Sequence, residues 1–279
     1  MTYELGIMQG RLLPKYKGQF QAHPKNYWQD EFKVASKLGF AHIEFILDLD
    51  DHLENPLLSC NGLDLIKKKI AKENVKVKSV CADFFMNSPI YVDDNEKEVM
   101  NFWVLKKLIK NCSILGIKEI VLPLVDNSSI INSLEKKSNT ILFLEKIKNY
   151  LAKYNVNICL ETDLPPKDFL KLINDLKFPF FKINYDTGNS ASMGYDFKEE
   201  LQTYAKYITN IHIKDRILNG GSVMLGTGSC KFNEFFDYLK KLKFSGIMIL
   251  QAYRSNDAIA SVLPQLTFIK KIINDHFCN

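Results

Sequence analysis

Eight apolar segments rich in β-branched and aromatic residues recur along the chain, with amphipathic segments between them. Strands that alternate with helices, without hairpin signals, are typical of a parallel sheet. The eight predicted strands cover residues 3–9, 41–48, 75–83, 117–125, 155–161, 180–186, 208–213 and 245–251.

The segments between the strands show the spacing of amphipathic helices. In 28–38, for example, Trp28, Phe32 and Ala35 recur at helical intervals, and Gly39 follows as a C-terminal stop. Pro264 lies inside the last segment and predicts a break or a new helix start there, because proline removes a backbone donor. The predicted helices include 28–38, 95–115, 131–154, 166–176 and 256–275.

This alternation over 279 residues predicts one α/β domain, a single (β/α)8 TIM barrel that spans residues 1–279. A doubly wound open sheet is the alternative architecture. However, the turn after the first strand, MQGRLLPKYKG, lacks the glycine-rich fingerprint of dinucleotide-binding sheets. The pattern therefore favours the barrel.

Polar side chains end three neighbouring strands, at the edge that forms the active face of such a barrel. Glu161 ends the fifth strand, Asp186 the sixth and His212 the seventh. Two carboxylates and an imidazole are a donor set suited to a divalent cation. Asn184 and Asn210 lie two positions earlier on the sixth and seventh strands, on the same inward face. There they either orient the ligands or bond to each other or to buried water.

The charge and composition predict a cytoplasmic protein without a nucleic-acid or membrane partner. The net charge of +5 is spread over lysines on amphipathic helices, which a solvated surface explains. The sequence shows no leader-like start and no run of roughly 18 apolar residues, the length of a membrane span. The scattered cysteines are expected to be reduced.

Arginine is rare in this chain, with three among 37 lysines and arginines. Arg11, Arg216 and Arg254 each follow a predicted strand closely. A planar guanidinium can grip carboxylate, phosphate or vicinal oxygens through two hydrogen bonds, which an ammonium cannot do. We therefore expect arginines at the active face to contact an anionic or polyhydroxylated substrate.

Six motifs make the chain resemble the xylose isomerase-like TIM-barrel superfamily, which includes sugar-phosphate isomerases and epimerases. The motifs are GIMQGRL, FAHIEFILD, ICLETD, NYDTGN, IHIKDR and LGTG. The resemblance implies one divalent metal ion (Mn, Mg, Co or Zn) bound by Glu161, Asp186, His212 and a residue after the eighth strand. That fourth ligand is Glu in the sugar-converting members, whereas this chain has Gln251. An amide oxygen can bind a metal, but the amide cannot transfer a proton at neutral pH.

The resemblance implies an isomerase or epimerase that acts on a small sugar or sugar derivative. Glu161 would be the single carboxylate base and would generate an enediolate, with Gln251 at the second catalytic position. The same intermediate could expel a β-hydroxyl, so a metal-dependent dehydratase of a keto-polyol is the alternative. A catalytically degenerate sugar-binding barrel also stays open, since a fold does not determine function.

Further polar residues at the strand ends and in the following loops are expected to contact substrate. Glu44 and Asp83 could bind sugar hydroxyls, act as a second acid or cap a loop. Asn189 stands where the epimerases tend to have a substrate-contacting histidine. The predicted substrate-binding residues are Arg11, Glu44, Asp83, Asn189, Asp215, Arg216 and Arg254. The expected partner is a small-molecule sugar, and the protein could form a homo-oligomer.

Overall fold

The computed structural model describes residues 4–92 and 94–277. Within these ranges eight parallel strands close into a barrel, in which the first strand pairs with both the second and the last. The strands are β1 (Leu5–Met8), β2 (His42–Ile46), β3 (Lys76–Cys81), β4 (Glu119–Leu124), β5 (Asn157–Thr162), β6 (Phe181–Asp186), β7 (Ile208–Ile213) and β8 (Ile247–Leu250). The predicted (β/α)8 barrel is confirmed. Residue 3, where the first predicted strand begins, lies outside the described residues.

Helices pack around the barrel between successive strands. They are α1 (Trp28–Leu38), α2 (Cys60–Glu73), α3 (Phe84–Asn87), α4 (Asn95–Leu115), α5 (Leu134–Tyr154), α6 (Pro166–Leu176), α7 (Thr187–Met193), α8 (Phe197–Tyr204), α9 (Phe232–Lys241) and α10 (Ala258–Phe277). Three of them, α1, α4 and α6, have the predicted bounds. A short antiparallel pair, Asp215–Arg216 with Ser222–Val223, follows β7.

The break predicted at Pro264 is wrong, because α10 continues through this residue. Pro264 is exposed, and so is Ala260, whose carbonyl loses its helical partner to the proline. Water can therefore satisfy that carbonyl. Val262 and Leu266, on either side of the proline, are buried against the core and hold the helix together.

Two apolar clusters hold the fold and leave one end of the barrel polar. The larger cluster lies between the sheet and the helices. The smaller cluster fills the barrel interior and consists of Met8, Ile46, Cys81, Val121, Cys159 and Ile249. At the carboxyl end, the strand register places Asp186 opposite His212. The ends of β5, β6 and β7 therefore meet above a packed interior.

The cysteines and the helices bear on the expected thiol state and on the expected absence of a membrane span. The five described cysteines, Cys60, Cys81, Cys112, Cys159 and Cys230, are free thiols. None of the helices in the described ranges combines the length and apolar character that a membrane crossing requires.

A single buried carboxylate ties the loop after β1 to α1. Glu31 Oε2 accepts a hydrogen bond from the Gly10 N–H at 2.7 Å, and its Oε1 accepts one from the Leu12 N–H at 3.0 Å. Burial raises the pKa of Glu31 to about 7, because it disfavours the charged carboxylate. This contact matters for the site, since the same loop carries Arg11 and Gln21.

We expect Glu31→Ala to lower the free energy of unfolding by roughly 2–6 kcal/mol, because two buried N–H groups lose their acceptor at ~1–3 kcal/mol each. Urea denaturation measures the change. Asp30→Ala is the control, because Asp30 is the exposed acidic neighbour in the first turn of α1. Equal, small effects of the two substitutions would contradict the anchoring role of Glu31.

Candidate active site

Three side chains with metal-binding chemistry converge at the carboxyl end of the barrel. Glu161, Asp186 and His212 each offer one donor atom, and these atoms lie within 4.8 Å of one another. The residues are 6%, 5% and 0% exposed, respectively. Parallel pairing explains the convergence, since the three residues lie at the ends of adjacent strands.

Asp186 is held by the helix that follows it. Its Oδ1 accepts a hydrogen bond from the Asn189 N–H at 2.8 Å and so caps the N-terminus of α7. The other oxygen, Oδ2, is buried and has no hydrogen-bonding partner among the described residues. It lies 3.9 Å from His212 Nδ1 and 3.6 Å from Lys214 Nζ. The cap thus orients the carboxylate and leaves one oxygen for a ligand.

His212 is oriented from behind by Glu44. The two side chains are fully buried, and His212 Nε2 lies 2.6 Å from Glu44 Oε1. Burial opposes a charged imidazole, but the carboxylates of Glu44 and Glu161 outweigh it and raise the pKa of His212 well above its usual value. With its Nε2 proton bonded to Glu44, the ring presents Nδ1 toward Glu161 Oε2, 3.3 Å away. Such a carboxylate partner is typical of metal-binding histidines.

A chain of amides connects Glu161 to Glu44 beneath the cluster. Glu161 Oε2 accepts from Asn184 Nδ2 and its Oε1 accepts from Asn189 Nδ2, both at 2.7 Å. Asn210 Nδ2 lies 2.9 Å from both Asn184 Oδ1 and Glu44 Oε2 and donates to them. Of the alternatives left open for Asn184 and Asn210, the structure shows the two amides bonded to each other, and it also shows Asn184 bonded to Glu161 and Asn210 bonded to Glu44. Burial raises the pKa of Glu161, since it disfavours the carboxylate.

A cavity of about 520 Å³ lies at this end of the barrel, lined in part by Glu161, Asn189 and Gln251. Its lining carries charges of both signs. The loops after β2, β3 and β4 contribute Asp48, Asp50, Asp83 and Asp126, and the loops after β1 and β7 contribute Arg11, Lys214 and Arg216. The cavity can therefore receive a polar molecule that has hydroxyl groups and an anionic group.

Three residues with predicted roles in the site, Arg11, Asp83 and Gln251, line this cavity, and they meet at Gln21. Gln21 Oε1 accepts from Arg11 Nη2 at 2.6 Å and from Gln251 Nε2 at 2.8 Å. Gln21 Nε2 donates to Asp83 Oδ2 at 2.6 Å. Burial raises the pKa of Asp83, because it disfavours the ionised form.

Two residues that we predicted to contact substrate serve the framework instead. Glu44 is 0% exposed, lies behind His212 and is not part of the cavity lining within the described residues. Arg254 donates from Nη2 to the Leu13 carbonyl at 2.6 Å, so it holds the loop after β1. Both side chains turn away from the cavity because buried partners from distant segments hold them.

Asp215, also predicted to contact substrate, is bound by the loop that follows it. Its Oδ2 accepts hydrogen bonds from the N–H groups of Gly226 and Gly228, each at 2.9 Å, and its Oδ1 accepts one from the Cys230 N–H at 3.1 Å. The residue is 1% exposed. The carboxylate thus shapes the glycine-containing loop and has no free oxygen for a sugar.

Lys214, Asp48 and Gln21 are among the cavity residues that the sequence analysis missed. Lys214 lies two positions after His212, and Asp48 follows β2, so their strand-end positions could have indicated them. Burial raises the pKa of Asp48 to about 7. Gln21 lies in the middle of a long loop without periodicity, and no sequence signal distinguishes it.

The donor atoms of the cluster fit a divalent cation. Asp186 Oδ2, His212 Nδ1 and Gln251 Oε1 are buried and lack hydrogen-bonding partners in the part of the chain that the structure describes. Leaving a buried polar atom unpaired costs about 1–3 kcal/mol, so such atoms usually have a partner. The potential that raises the pKa of His212 also favours a cation. The residues present therefore suit a metal ion.

The fold and the site together place this protein among closed (β/α)8 barrels that carry a carboxylate and imidazole cluster, suited to a metal ion, at the carboxyl end of the strands. Residues 32–272 match the family profile described as xylose isomerase-like TIM barrel, and the chain belongs to this family.

Individual relatives are distant but cover most of the chain. A putative L-ribulose-5-phosphate 3-epimerase of Haemophilus influenzae is 24% identical over 251 residues, which cover 84% of this chain and 86% of the relative. The crystal structure of a xylose isomerase domain protein from Planctomyces limnophilus superposes with a TM-score of 0.77 at 16% identity and 98% coverage of both chains. The IOLI protein, solved with a bound zinc atom, gives a TM-score of 0.74 at 18% identity and covers 98% of this chain and 99% of its own.

Proposed function

We propose that this protein is a divalent-metal-dependent enzyme that isomerises or epimerises a small sugar or sugar phosphate. The observation that carries the proposal is the buried cluster of Glu161, Asp186 and His212 beside a polar cavity, with donor atoms that have no hydrogen-bonding partner within the part of the chain described. The activity named for the Haemophilus relative supports a sugar substrate, and the zinc of the IOLI protein supports a metal.

Glu161, Asp186 and His212 would hold the cation, and Gln251 Oε1 would be a fourth protein donor. When bound there, Mn²⁺, Mg²⁺, Co²⁺ or Zn²⁺ polarises a carbonyl or hydroxyl oxygen and acidifies the adjacent C–H bond. The donor set is compatible with any of these ions. Side chains of the cavity would transfer the protons and bind the substrate.

We assign proton abstraction to Glu161. Its carboxylate lines the cavity and is held by Asn184 and Asn189, so it can face a substrate carbon in a fixed position. Gln251 cannot take a proton. Removal of a proton beside a carbonyl gives an enediolate. Glu161, whose proton can exchange with solvent, returns a proton to the neighbouring carbon while the hydroxyl proton moves between the two oxygens, which interconverts an aldose and a ketose.

Epimerisation needs a second proton donor, because the proton must return to the opposite face of the same carbon. Asp83 supports this role, since it lines the cavity from the end of β3 and burial raises its pKa. Glu44, the other carboxylate considered for a second acid, lies behind His212. We therefore assign the second proton to Asp83.

A dehydratase is the second candidate, and the neutral Gln251 favours it. An enediolate that is not reprotonated on carbon can expel a β-hydroxyl, which leaves as water with the proton that Glu161 removed. Incubation with candidate sugars in D₂O and each of the four ions separates the outcomes. An isomerase or epimerase introduces deuterium into recovered sugar, a dehydratase releases a 2-keto product, and a sugar-binding protein does neither.

The anionic end of the substrate is assigned to Lys214 and Arg216. Both line the cavity, and both hold Asn189 Oδ1, Arg216 through Nη1 at 2.9 Å and Lys214 through Nζ at 3.3 Å. Arg216 Nε donates to the Gly220 carbonyl at 2.9 Å, which fixes the guanidinium plane. A fixed fork beside an ammonium is suited to a phosphate or to vicinal hydroxyls.

Arg216→Lys is expected to lower kcat/KM by about tenfold or more, because a hydrogen bond to a charged group contributes roughly 1.5–3 kcal/mol. The positive charge remains, but the fork is lost. Steady-state kinetics with a phosphorylated and an unphosphorylated sugar measure the effect, while the Mn²⁺ dissociation constant should stay unchanged. Unaltered kinetics with both sugars would remove Arg216 from the substrate site.

A further inference from the structure

The side-chain amide of Gln21 sits at the centre of a network that joins three separate strand ends. It accepts from Arg11, which follows β1, and from Gln251, which follows β8, and it donates to Asp83, which follows β3. Gln21 is half-buried and lines the cavity. Each polar atom of this amide therefore has a partner of defined chemistry.

Arg11 determines which way the Gln21 amide points. A guanidinium only donates hydrogen bonds, so the atom of Gln21 that faces Arg11 Nη2 must be the oxygen. Arg11 is itself fixed, because it is 1% exposed, donates from Nη1 to the Phe20 carbonyl at 2.9 Å and stacks on the Phe20 ring. At the other end of the amide, Gln21 Nε2 donates to Asp83 Oδ2 at 2.6 Å, which is consistent with this orientation.

The orientation of Gln21 in turn determines the orientation of Gln251. Because Gln21 presents an oxygen, Gln251 must present its Nε2 donor to it, at 2.8 Å. The amide oxygen of Gln251 then points away from Gln21. Gln251 is only 7% exposed, and this oxygen is buried. It has no hydrogen-bonding partner within residues 4–92 and 94–277.

We infer that Gln21 is a positioning residue, which directs the Gln251 carbonyl oxygen into the site as a ligand for a divalent cation. The inference rests on the proposed metal site and adds a residue from the loop after β1 to it. Arg11 acts on the same atom through Gln21. A residue of the loop after β1 thus orients the side-chain oxygen of Gln251, which follows β8.

The same network makes residues 21 and 251 dependent on each other. A glutamate at position 251 has no proton to donate at neutral pH, so its carboxylate would face Gln21 Oε1. Reversing Gln21 would relieve that contact but would turn an NH₂ group toward Arg11, which cannot accept a hydrogen bond. In this chain, a neutral amide at position 251 is therefore matched to Gln21.

The test measures Mn²⁺ binding to the metal-stripped, full-length protein by isothermal titration calorimetry. Gln21→Leu and Gln21→Ala should each weaken Mn²⁺ binding by about tenfold, within the ~10–100-fold typical of residues that orient a metal ligand. Gln251→Leu should weaken it by a similar factor. Adding Gln21→Leu to Gln251→Leu should cause no further loss, because both changes remove the same oxygen from the site.

Gln19→Leu is the matched control. Gln19 lies in the same loop and lines the same cavity, but it makes no side-chain hydrogen bond that the described residues record. Its replacement should leave the Mn²⁺ dissociation constant within about twofold, and thermal melting should show all variants folded.

Three results would overturn the inference. The first is unchanged Mn²⁺ binding in the Gln21 variants while the Asp186→Ala variant loses Mn²⁺. That result would support the proposed metal site and reject the role of Gln21. The second is a double variant whose loss of Mn²⁺ affinity equals the product of the losses in the two single variants. Independent effects of this kind would show that Gln21 does not act through Gln251. The third is a wild-type protein that binds no Mn²⁺ and behaves like Asp186→Ala, which would remove the metal site and the inference together.

Discussion

Replacing Glu161 with glutamine is expected to lower kcat by roughly 10²–10⁴-fold, the usual contribution of a positioned general base. The substitution keeps the size of the side chain and removes its ability to take a proton. Because Glu161 is also a proposed metal ligand, kcat should be measured at saturating Mn²⁺. Exchange of substrate hydrogen with D₂O should fall in parallel, since we assign both processes to the same carboxylate.

Glu119→Gln provides the control for this experiment. Glu119 is also a buried glutamate of the barrel, 8% exposed against 6% for Glu161, but it begins β4 at the opposite end. There it accepts hydrogen bonds from Cys159 and Thr209. This control should keep kcat within a few fold. Substantial turnover and exchange in Glu161→Gln would show that another group takes the proton.

Asp186→Ala is expected to weaken metal binding by more than ~100-fold, beyond the range typical of residues that only orient a ligand. The change removes Oδ2, which has no hydrogen-bonding partner in the described ranges, and with it one of the two carboxylates of the cluster. It also removes the cap of α7, which should lower the free energy of unfolding by ~1 kcal/mol. Metal analysis of the purified protein and calorimetric titration measure the effect.

Asp196→Ala separates the lost cap from the lost ligand. Asp196 caps the next helix, α8, through a 2.9 Å hydrogen bond to the Lys198 N–H, and it is exposed. This variant should lose similar stability and retain full metal binding. If the protein with Asp186→Ala kept its metal, or if both variants lost it equally, the assignment of Asp186 as a ligand would fail.

The architecture was available from the sequence because it depends on periodicity. Apolar strands alternate with amphipathic helices, and each helix must bury its apolar face on the sheet, so the pattern alone predicts the barrel. The positions of Glu161, Asp186 and His212 followed from the same pattern. Parallel strands bring their carboxyl ends to one face, so strand-end residues meet without any further information.

The structural roles of the remaining polar residues depend on contacts between segments that are far apart in the sequence. Glu44 and His212 are 168 positions apart, and Gln21 and Gln251 are 230 apart. Neither partner shows a signal of the other, since each pair depends on barrel closure and on the path of a loop. A strand-end position therefore predicted that Glu44 lies near the site but not that it faces a histidine.

The barrel and the clustering of Glu161, Asp186 and His212 at its carboxyl end could be predicted from the sequence, because regular spacing encodes which face of each strand points inward. Which polar atoms are paired depends on the folded structure. Asp215 accepts hydrogen bonds from backbone N–H groups and Arg254 donates to a backbone carbonyl, while Gln251 Oε1 has no hydrogen-bonding partner among the described residues. That division depends on ångström-scale hydrogen-bond geometry, which residue spacing along a chain does not contain.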